Sequence, residues 1–121
     1  MTYRIDFSSI AKAEADAAFL NLSQFTTAER AQVWYQGLIK AIASLQEMPR
    51  RCTVARENNF FSQEIRQLLY GHGKQAYRIV FTILDDAMIP TVRILYIRHV
   101  SQKTIGELNP VQDETWSFQW Q

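Results

Sequence analysis

Two neighbouring stretches decide the fold of this chain: Ala76-Tyr-Arg-Ile-Val-Phe-Thr-Ile83 and Thr91-Val-Arg-Ile-Leu-Tyr-Ile-Arg-His99. Both are rich in β-branched and aromatic residues, which favour strands. The loop between them contains Asp85-Asp86 and Pro90, which interrupt regular structure. The pattern therefore predicts two consecutive strands of an antiparallel sheet.

Both stretches also contain arginine where a buried strand normally has none. Side chains alternate between the two faces of a strand, so one face of the first stretch holds Tyr77, Ile79, Phe81 and Ile83, and Arg78 lies on the other. The alternation in the second stretch predicts one face with Arg93, Leu95, Ile97 and His99, and the other with Val92, Ile94, Tyr96 and Arg98. Because a guanidinium is rarely buried without a partner, these arginines predict a surface that contacts phosphates or a partner's carboxylates. The alternative is a solvated sheet face on which arginine needs no ligand.

Length and composition indicate one ordinary globular domain that spans residues 1–121, with a core at about 2–100 and an irregular tail at 101–121. The 13 basic and 12 acidic residues nearly cancel, so nucleic-acid binding would depend on local clustering of charge. The single cysteine, Cys52, cannot form an intramolecular disulfide, which favours a reducing compartment. The N-terminal residues have no apolar signal region and no run approaches membrane-spanning length, so we expect a cytoplasmic protein without a membrane role.

The N-terminal part predicts a strand followed by a helical hairpin. Apolar residues alternate at Tyr3, Ile5 and Phe7, and serines that favour a helix start precede a helix at about 9–22. The sequence Thr26-Thr-Ala-Glu29 matches a capping box. Behind it an apolar stripe runs to about residue 46, before Pro49, and contains Ala31, Trp34, Leu38, Ala41, Ile42 and Leu45. We expect this stripe, with Trp34 as a core residue, to pack on the sheet face of Tyr77, Ile79, Phe81 and Ile83.

The remaining segments complete an α+β arrangement. A polar connection is expected at residues 49–63. The pattern at 64–70 predicts a strand that ends at Gly71-His-Gly73, and the predicted strands at 76–84 and 91–99 follow. The order is strand, helix, helix, then a three-stranded antiparallel meander. The tail alternates Trp116, Phe118 and Trp120, which predicts packing on the domain, with a partner-facing patch as the alternative.

The sequence contains few groups suited to catalysis. His72 and His99 are the only histidines, neither lies in a metal-ligand motif, no glycine-rich phosphate loop is present, and we expect neither a metal nor a cofactor. The cationic residues on or beside the last three strands are Arg66, Lys74, Arg78, Arg93, Arg98 and His99. Together they could bind a phosphodiester backbone. Cleavage at a 2′-OH would also need a base, an acid for the leaving oxygen and cations for the charged phosphorane. His99 could supply the acid or the base, and Tyr70, Tyr77 or Tyr96 could supply a polar hydroxyl.

Five short motifs in this order resemble the RelE/ParE superfamily, small toxins of bacterial type II toxin–antitoxin systems that are often labelled plasmid stabilisation proteins. The motifs are Tyr3-x-Ile-x-Phe-Ser, Trp34-x3-Leu38-x3-Ile42-x2-Leu45-x3-Pro49, Ile65-Arg-Gln-Leu-Leu-Tyr70, Tyr77-Arg-Ile-Val-Phe-Thr-Ile83 and Ile94-Leu-Tyr-Ile-Arg-His99. The resemblance implies a curved antiparallel sheet with a helical hairpin on one face. It also implies a cognate antitoxin that wraps the toxin in a hetero-oligomer. RelE-like members cut mRNA in the ribosomal A site, whereas ParE-like members poison DNA gyrase.

The resemblance to the nuclease branch is partial. Arg78 falls where RelE-like toxins keep a phosphate-binding arginine, but the basic pair on the preceding strand is replaced by Arg66, Gln67 and Leu68. After the last strand only His99 and Lys103 offer charge or proton chemistry. The expectation is therefore a ParE-like toxin whose target would contact Lys74, Arg93 and Arg98. The alternatives are a ribosome-dependent mRNA endonuclease with Arg66, Arg78 and His99 as catalytic residues, and a family member that keeps the fold without toxicity.

Overall fold

The computed structural model describes residues 2–102, which form two helices and one sheet. The helices and strands in chain order are β1 (Arg4–Phe7), α1 (Ser9–Phe25), α2 (Ala28–Ala43), β2 (Thr53–Val54), β3 (Arg66–Tyr70), β4 (Tyr77–Leu84) and β5 (Thr91–His99). Short 3₁₀ turns occupy parts of the connections. Within this range no helix is long and apolar enough to cross a membrane. The predicted aromatic tail and Lys103 lie outside the described residues.

The sheet has the order β1-β5-β4-β3-β2. β1 runs parallel to β5, and the other neighbouring pairs are antiparallel. The predicted α+β order of strand, helical hairpin and antiparallel meander is confirmed. The sequence did not predict β2, which has only two residues inside the polar connection and pairs with β3.

A β-bulge in β5 corrects the predicted faces of that strand. Val80 pairs with Tyr96 but Phe81 pairs with Ile94, so Leu95 is an extra residue without a partner in the register. Beyond Leu95 the alternation therefore shifts by one residue. The prediction that Ile97 and His99 share a face with Arg93 is wrong, because Ile97 lies in the helix-side core with Val92 and Ile94.

The helix termini differ slightly from the prediction. The Ser8 hydroxyl caps α1 by accepting a hydrogen bond from the Ala11 amide (2.9 Å). The predicted capping box is wrong: Thr27, not Thr26, caps α2 and accepts from the Arg30 amide (3.1 Å). The Thr26 hydroxyl instead donates to the last turn of α1. Two adjacent threonines made the start of α2 ambiguous in the sequence.

Two separate cores lie on the two faces of the sheet. The expected packing of the α2 stripe is confirmed, since Leu38, Ile42 and Leu45 share a buried cluster with Ile79 and Phe81. Trp34 is half-buried at the margin of that cluster and contacts the Tyr77 ring (5.1 Å between centroids). The second face is covered by the segment at 55–65, whose residues form a smaller core with Ile10, Val80, Leu95 and Tyr96.

Candidate functional site

Arg78 lies in the interior of the protein, bound by its own chain. Its side chain points to the second face of the sheet and is 3% exposed, and Glu57 beside it is 0% exposed. Arg78 Nη1 donates to Glu57 Oε2 (2.6 Å), and Nη2 donates to Oε1 of the same carboxylate. The Gln67 side-chain oxygen accepts from Arg78 Nε (3.0 Å) and Nη2 (2.8 Å). The expectation of an exposed Arg78 is not met, because a phosphate cannot reach this guanidinium in the described conformation.

Two other predicted cations are held by local partners. Arg66 Nη1 donates to the Cys52 carbonyl (2.6 Å), and its Nε lies 3.1 Å from a Glu64 carboxylate oxygen. Arg93 Nη2 lies 3.6 Å from Asp6 Oδ2, which β1 places opposite it in the sheet. Both guanidinium groups are mostly buried, so neither forms the open cationic surface that the sequence predicted.

The three residues of the nuclease hypothesis do not converge. Arg66 pairs with Phe81 in the middle of β4, whereas His99 pairs with Tyr77 at the start of β4. Four residue steps along a strand separate those positions by roughly 13 Å. Arg78 projects to the other face, since it follows Tyr77 directly in β4.

A cleft of about 770 Å³ opens between α1 and the end of β5. We refer to it as the α1–β5 cleft. Its lining includes Glu14, Ala17, Ala18, Asn21, Gln24, Tyr77, Ile97 and His99. On the α1 side the small Ala17 and Ala18 leave space, and polar side chains line the same cleft.

Glu14 is the most perturbed titratable group of this cleft. Its Oε1 accepts a hydrogen bond from the Ile97 amide (2.8 Å), and its Oε2 lies 3.8 Å from Arg98 Nη1. Burial raises the pKa of Glu14 to about 7, against the opposing effects of the Ile97 hydrogen bond and the Arg98 charge. The sequence analysis missed this residue. One signal was available, because Glu14 lies at helical spacing from the buried Ala11 and Ala18.

His99 has a fixed orientation at the other side of the cleft. Its Nδ1 accepts the Ser101 amide (3.1 Å) and lies 2.6 Å from the Ser101 hydroxyl. An Nδ1 that accepts an amide proton leaves the proton of a neutral imidazole on Nε2. The Tyr77 ring meets the imidazole edge-on at 5.2 Å, and partial burial raises the pKa of the Tyr77 phenol. His99 thus offers a donor to a bound group.

Lys74 and Arg98, which the sequence predicted to contact the target, do not line this cleft. Lys74 is exposed in the turn before β4. Arg98 is mostly buried beside Glu14. Burial raises the pKa of the Cys52 thiol, which fits an inert side chain better than a nucleophile. Over residues 2–102 no group of three histidine, cysteine or acidic side chains could hold a metal ion.

The outer surface of the helices exposes large apolar side chains. Leu20 and Phe25 of α1 are 59% and 79% exposed, and Val33 of α2 is 69% exposed. Between the helices, Phe19 and Tyr35 meet edge-on (5.7 Å between centroids) in a shallow groove. Exposed apolar patches of this kind often mark protein interfaces.

Comparisons with known proteins find similarity only at the level of structure. No protein-family model matches the chain, and no curated protein matches it. Among solved structures, a chain described as "Chromosomal ParDE TA system from P. aeruginosa" has a similar fold, with a TM-score of 0.65 and 17% sequence identity. The match covers 83% of this chain and 98% of that chain. The fold expected from the RelE/ParE resemblance is confirmed by this likeness.

Proposed function

We propose that this chain is the toxin of a type II toxin–antitoxin system, of the ParE-like kind, and that a cognate antitoxin neutralises it. The observation that carries the proposal is the shared fold over 98% of a chain from a ParDE system. The five sequence motifs that resemble the same superfamily support it independently of the structural comparison. DNA gyrase is the target that a ParE-like toxin would bind.

The state of Arg78 favours binding over catalysis. An RNase of the RelE type must bring cations and a proton-transfer group to one phosphodiester. Here Glu57 neutralises Arg78 in the protein interior, and Arg66 and His99 lie beside β4 residues that are four positions apart. A binding toxin needs no such convergence, since its effect comes from contacts spread over a surface.

The exposed helix surface supports an antitoxin interface. Phe25 and Val33 lie on the hairpin and are mostly exposed, and the groove at Phe19 and Tyr35 lies between the two helices. Leu20 is also exposed, but it lines the α1–β5 cleft. An amphipathic helix of the antitoxin could bury its apolar face there, as helix-in-groove complexes do. Such a contact fits the expected toxin–antitoxin hetero-oligomer.

Controlled expression tests the proposal. The chain is induced alone and together with the protein encoded by the adjacent reading frame, and growth, gyrase-dependent DNA breaks and co-purification are measured. We expect growth arrest with DNA breaks from the chain alone, and rescue with complex formation when the second protein is present. Absence of growth arrest would favour the family member without toxicity. Growth arrest with cut mRNA and intact DNA would favour the nuclease.

A matched pair of variants tests the interface. Val33→Glu places a charge on the exposed α2 surface, whereas Val54→Glu makes the same change on β2, where valine is 44% exposed. We expect Val33→Glu to weaken the complex at least tenfold, because a charge in the core of an apolar interface loses its hydration. Val54→Glu should bind as the wild type does. Equal antitoxin affinity of the two variants would show that the antitoxin does not contact the exposed helix surface.

A further inference from the structure

The outer edge of β5 is covered by a strand along only part of its length. β1 pairs with residues 91–94 and ends at Phe7. Beyond that point, side chains of the same chain bind the backbone groups of the edge. The contacts are Ser8 Oγ donating to the Leu95 carbonyl (2.8 Å), the Ile97 amide donating to Glu14 Oε1 (2.8 Å) and the His99 amide donating to Gln102 Oε1 (2.6 Å). Three side chains thus take the hydrogen bonds that a further strand would make.

Glu14 is the least favourable of these substitutes. Its carboxyl is largely buried, and a carboxylate in such a place loses hydration that one amide and one guanidinium at 3.8 Å replace only in part. A peptide carbonyl at the same position would satisfy the Ile97 amide without burying a charge. Open strand edges are templates for the addition of an extended peptide.

We propose that Glu14 is a removable plug of the β5 edge, displaced when an extended segment of the antitoxin adds to Leu95–His99. This inference rests on the proposed function, because it assumes that an antitoxin binds. A carbonyl of the added segment would take the Ile97 amide, and every second side chain of that segment would enter the α1–β5 cleft. The small Ala17 and Ala18 leave room there, and Asn21, Gln24 and His99 Nε2 offer hydrogen bonds. Neutral polar or small apolar side chains fit this lining better than charged ones.

Displacement of the plug would couple binding to proton release. The charged or titratable groups around Glu14 are Arg98 and His99 of β5 and Tyr77 of β4. The other α1 residues of the cleft carry no charge: Ala17, Ala18, Leu20, Asn21 and Gln24. In the free protein burial raises the pKa of Glu14 from its ordinary value of 4.5 to about 7. When Glu14 is displaced into water, its carboxyl regains its ordinary pKa. At a pH between 4.5 and about 7 the displaced carboxyl therefore releases the proton that it held in the free protein. The affinity for the antitoxin should therefore rise with pH over that range, by up to about tenfold per pH unit, and level off above it.

Calorimetry and amide exchange on the full chain test the inference. The antitoxin from the adjacent reading frame is titrated at pH 5.5, 6.5 and 7.5 into the wild type and two variants. Glu14→Gln keeps the acceptor oxygen for Ile97 and removes the charge. Asp86→Asn is the matched control, since this exposed carboxylate lies in the turn between β4 and β5 and lines neither the α1–β5 cleft nor the groove between the helices. Between pH 5.5 and pH 6.5 we expect the affinity of the wild type and of Asp86→Asn to rise about tenfold more than the affinity of Glu14→Gln. The Ile97 amide should become at least a hundredfold more protected from exchange in the complex.

The outcomes separate the two proposals. An antitoxin that binds without protecting the Ile97 amide, or with the same pH slope for Glu14→Gln as for the wild type, overturns the plug and leaves the toxin assignment intact. Failure of the adjacent protein to bind at all overturns the toxin–antitoxin assignment, and the plug with it. Protection of Ile97 together with the loss of slope in Glu14→Gln supports both.

Discussion

Replacement of Glu57 by leucine tests the role assigned to Arg78. The substitution leaves a guanidinium that is 3% exposed without its carboxylate, and among residues 2–102 the Gln67 oxygen is the acceptor that remains. Because arginine does not lose its proton, the charge stays buried. Removal of one partner from a buried ion pair lowers the free energy of unfolding by about 3–5 kcal/mol. That is a large share of the roughly 5–15 kcal/mol of a typical domain.

The reciprocal change should behave differently with pH. Arg78→Leu leaves the Glu57 carboxyl buried, and a carboxyl can take up a proton and become neutral. The loss of stability in Arg78→Leu should therefore shrink as the pH is lowered from 8 to 5, whereas that in Glu57→Leu should not. The double variant leaves no buried charge, and leucines of suitable volume often replace such a pair at little cost or with a gain.

Urea unfolding followed by circular dichroism supplies the measurement. A double-mutant cycle on Glu57→Leu, Arg78→Leu and the double variant at pH 7 should give a coupling free energy of at least about 3–5 kcal/mol, because the double variant should recover the loss of each single variant. A loss below about 1 kcal/mol for Glu57→Leu would refute the buried pair, since that value is typical of exposed pairs. A double variant that loses as much as both single variants combined would refute it as well.

Three further predictions concern stability. Because burial raises the pKa of Glu14 to about 7 in the folded state, the free energy of unfolding should fall by about 3 kcal/mol as the pH rises from about 4.5 to about 7. Glu14→Gln should abolish this change, which urea melts at several pH values would measure. Gly37→Ala should lower the free energy of unfolding by about 1–3 kcal/mol, because the added Cβ would overlap the Tyr70 hydroxyl. Tyr70→Phe in the same chain should restore part of the loss. An unchanged free energy of unfolding in Gly37→Ala would refute this contact. Trp34→Ala should cost about 2–3 kcal/mol, less than a fully buried indole, because Trp34 is half-buried against Tyr77; a change within 0.5 kcal/mol (about the scatter of surface substitutions) would refute the packing.

Local pattern accounts for most of the elements that were predicted correctly. The alternation at 77–83 and the helical stripe at Leu38, Ile42 and Leu45 depend on burial of one face, which periodicity records directly. The bulge at Leu95 left no such record, because it depends on how β5 pairs with β4. The one inserted residue moves both Ile97 and His99 to the face of the sheet opposite the one that simple alternation predicts.

The candidate site was less predictable for the same reason. Clustering of arginine along the strands was visible in the sequence, but the partner that decides the role of Arg78 is Glu57, 21 residues away in an irregular segment. Whether an arginine binds a ligand or its own chain depends on such tertiary contacts, which residue spacing does not encode. Glu14 was missed because a single acidic residue in an alanine-rich helix is usually solvated.

Mapping of mRNA 3′ ends during induced expression distinguishes a binding toxin from a nuclease. We predict growth arrest by the wild type without cleavage of mRNA in the ribosomal A site at any expression level. His99→Ala, with its fold checked by circular dichroism, should keep most of the toxicity, because a binding toxin loses potency only as several contacts are removed. A-site cleavage by the wild type that is abolished in folded His99→Ala would contradict the account and assign the chain to the nucleases.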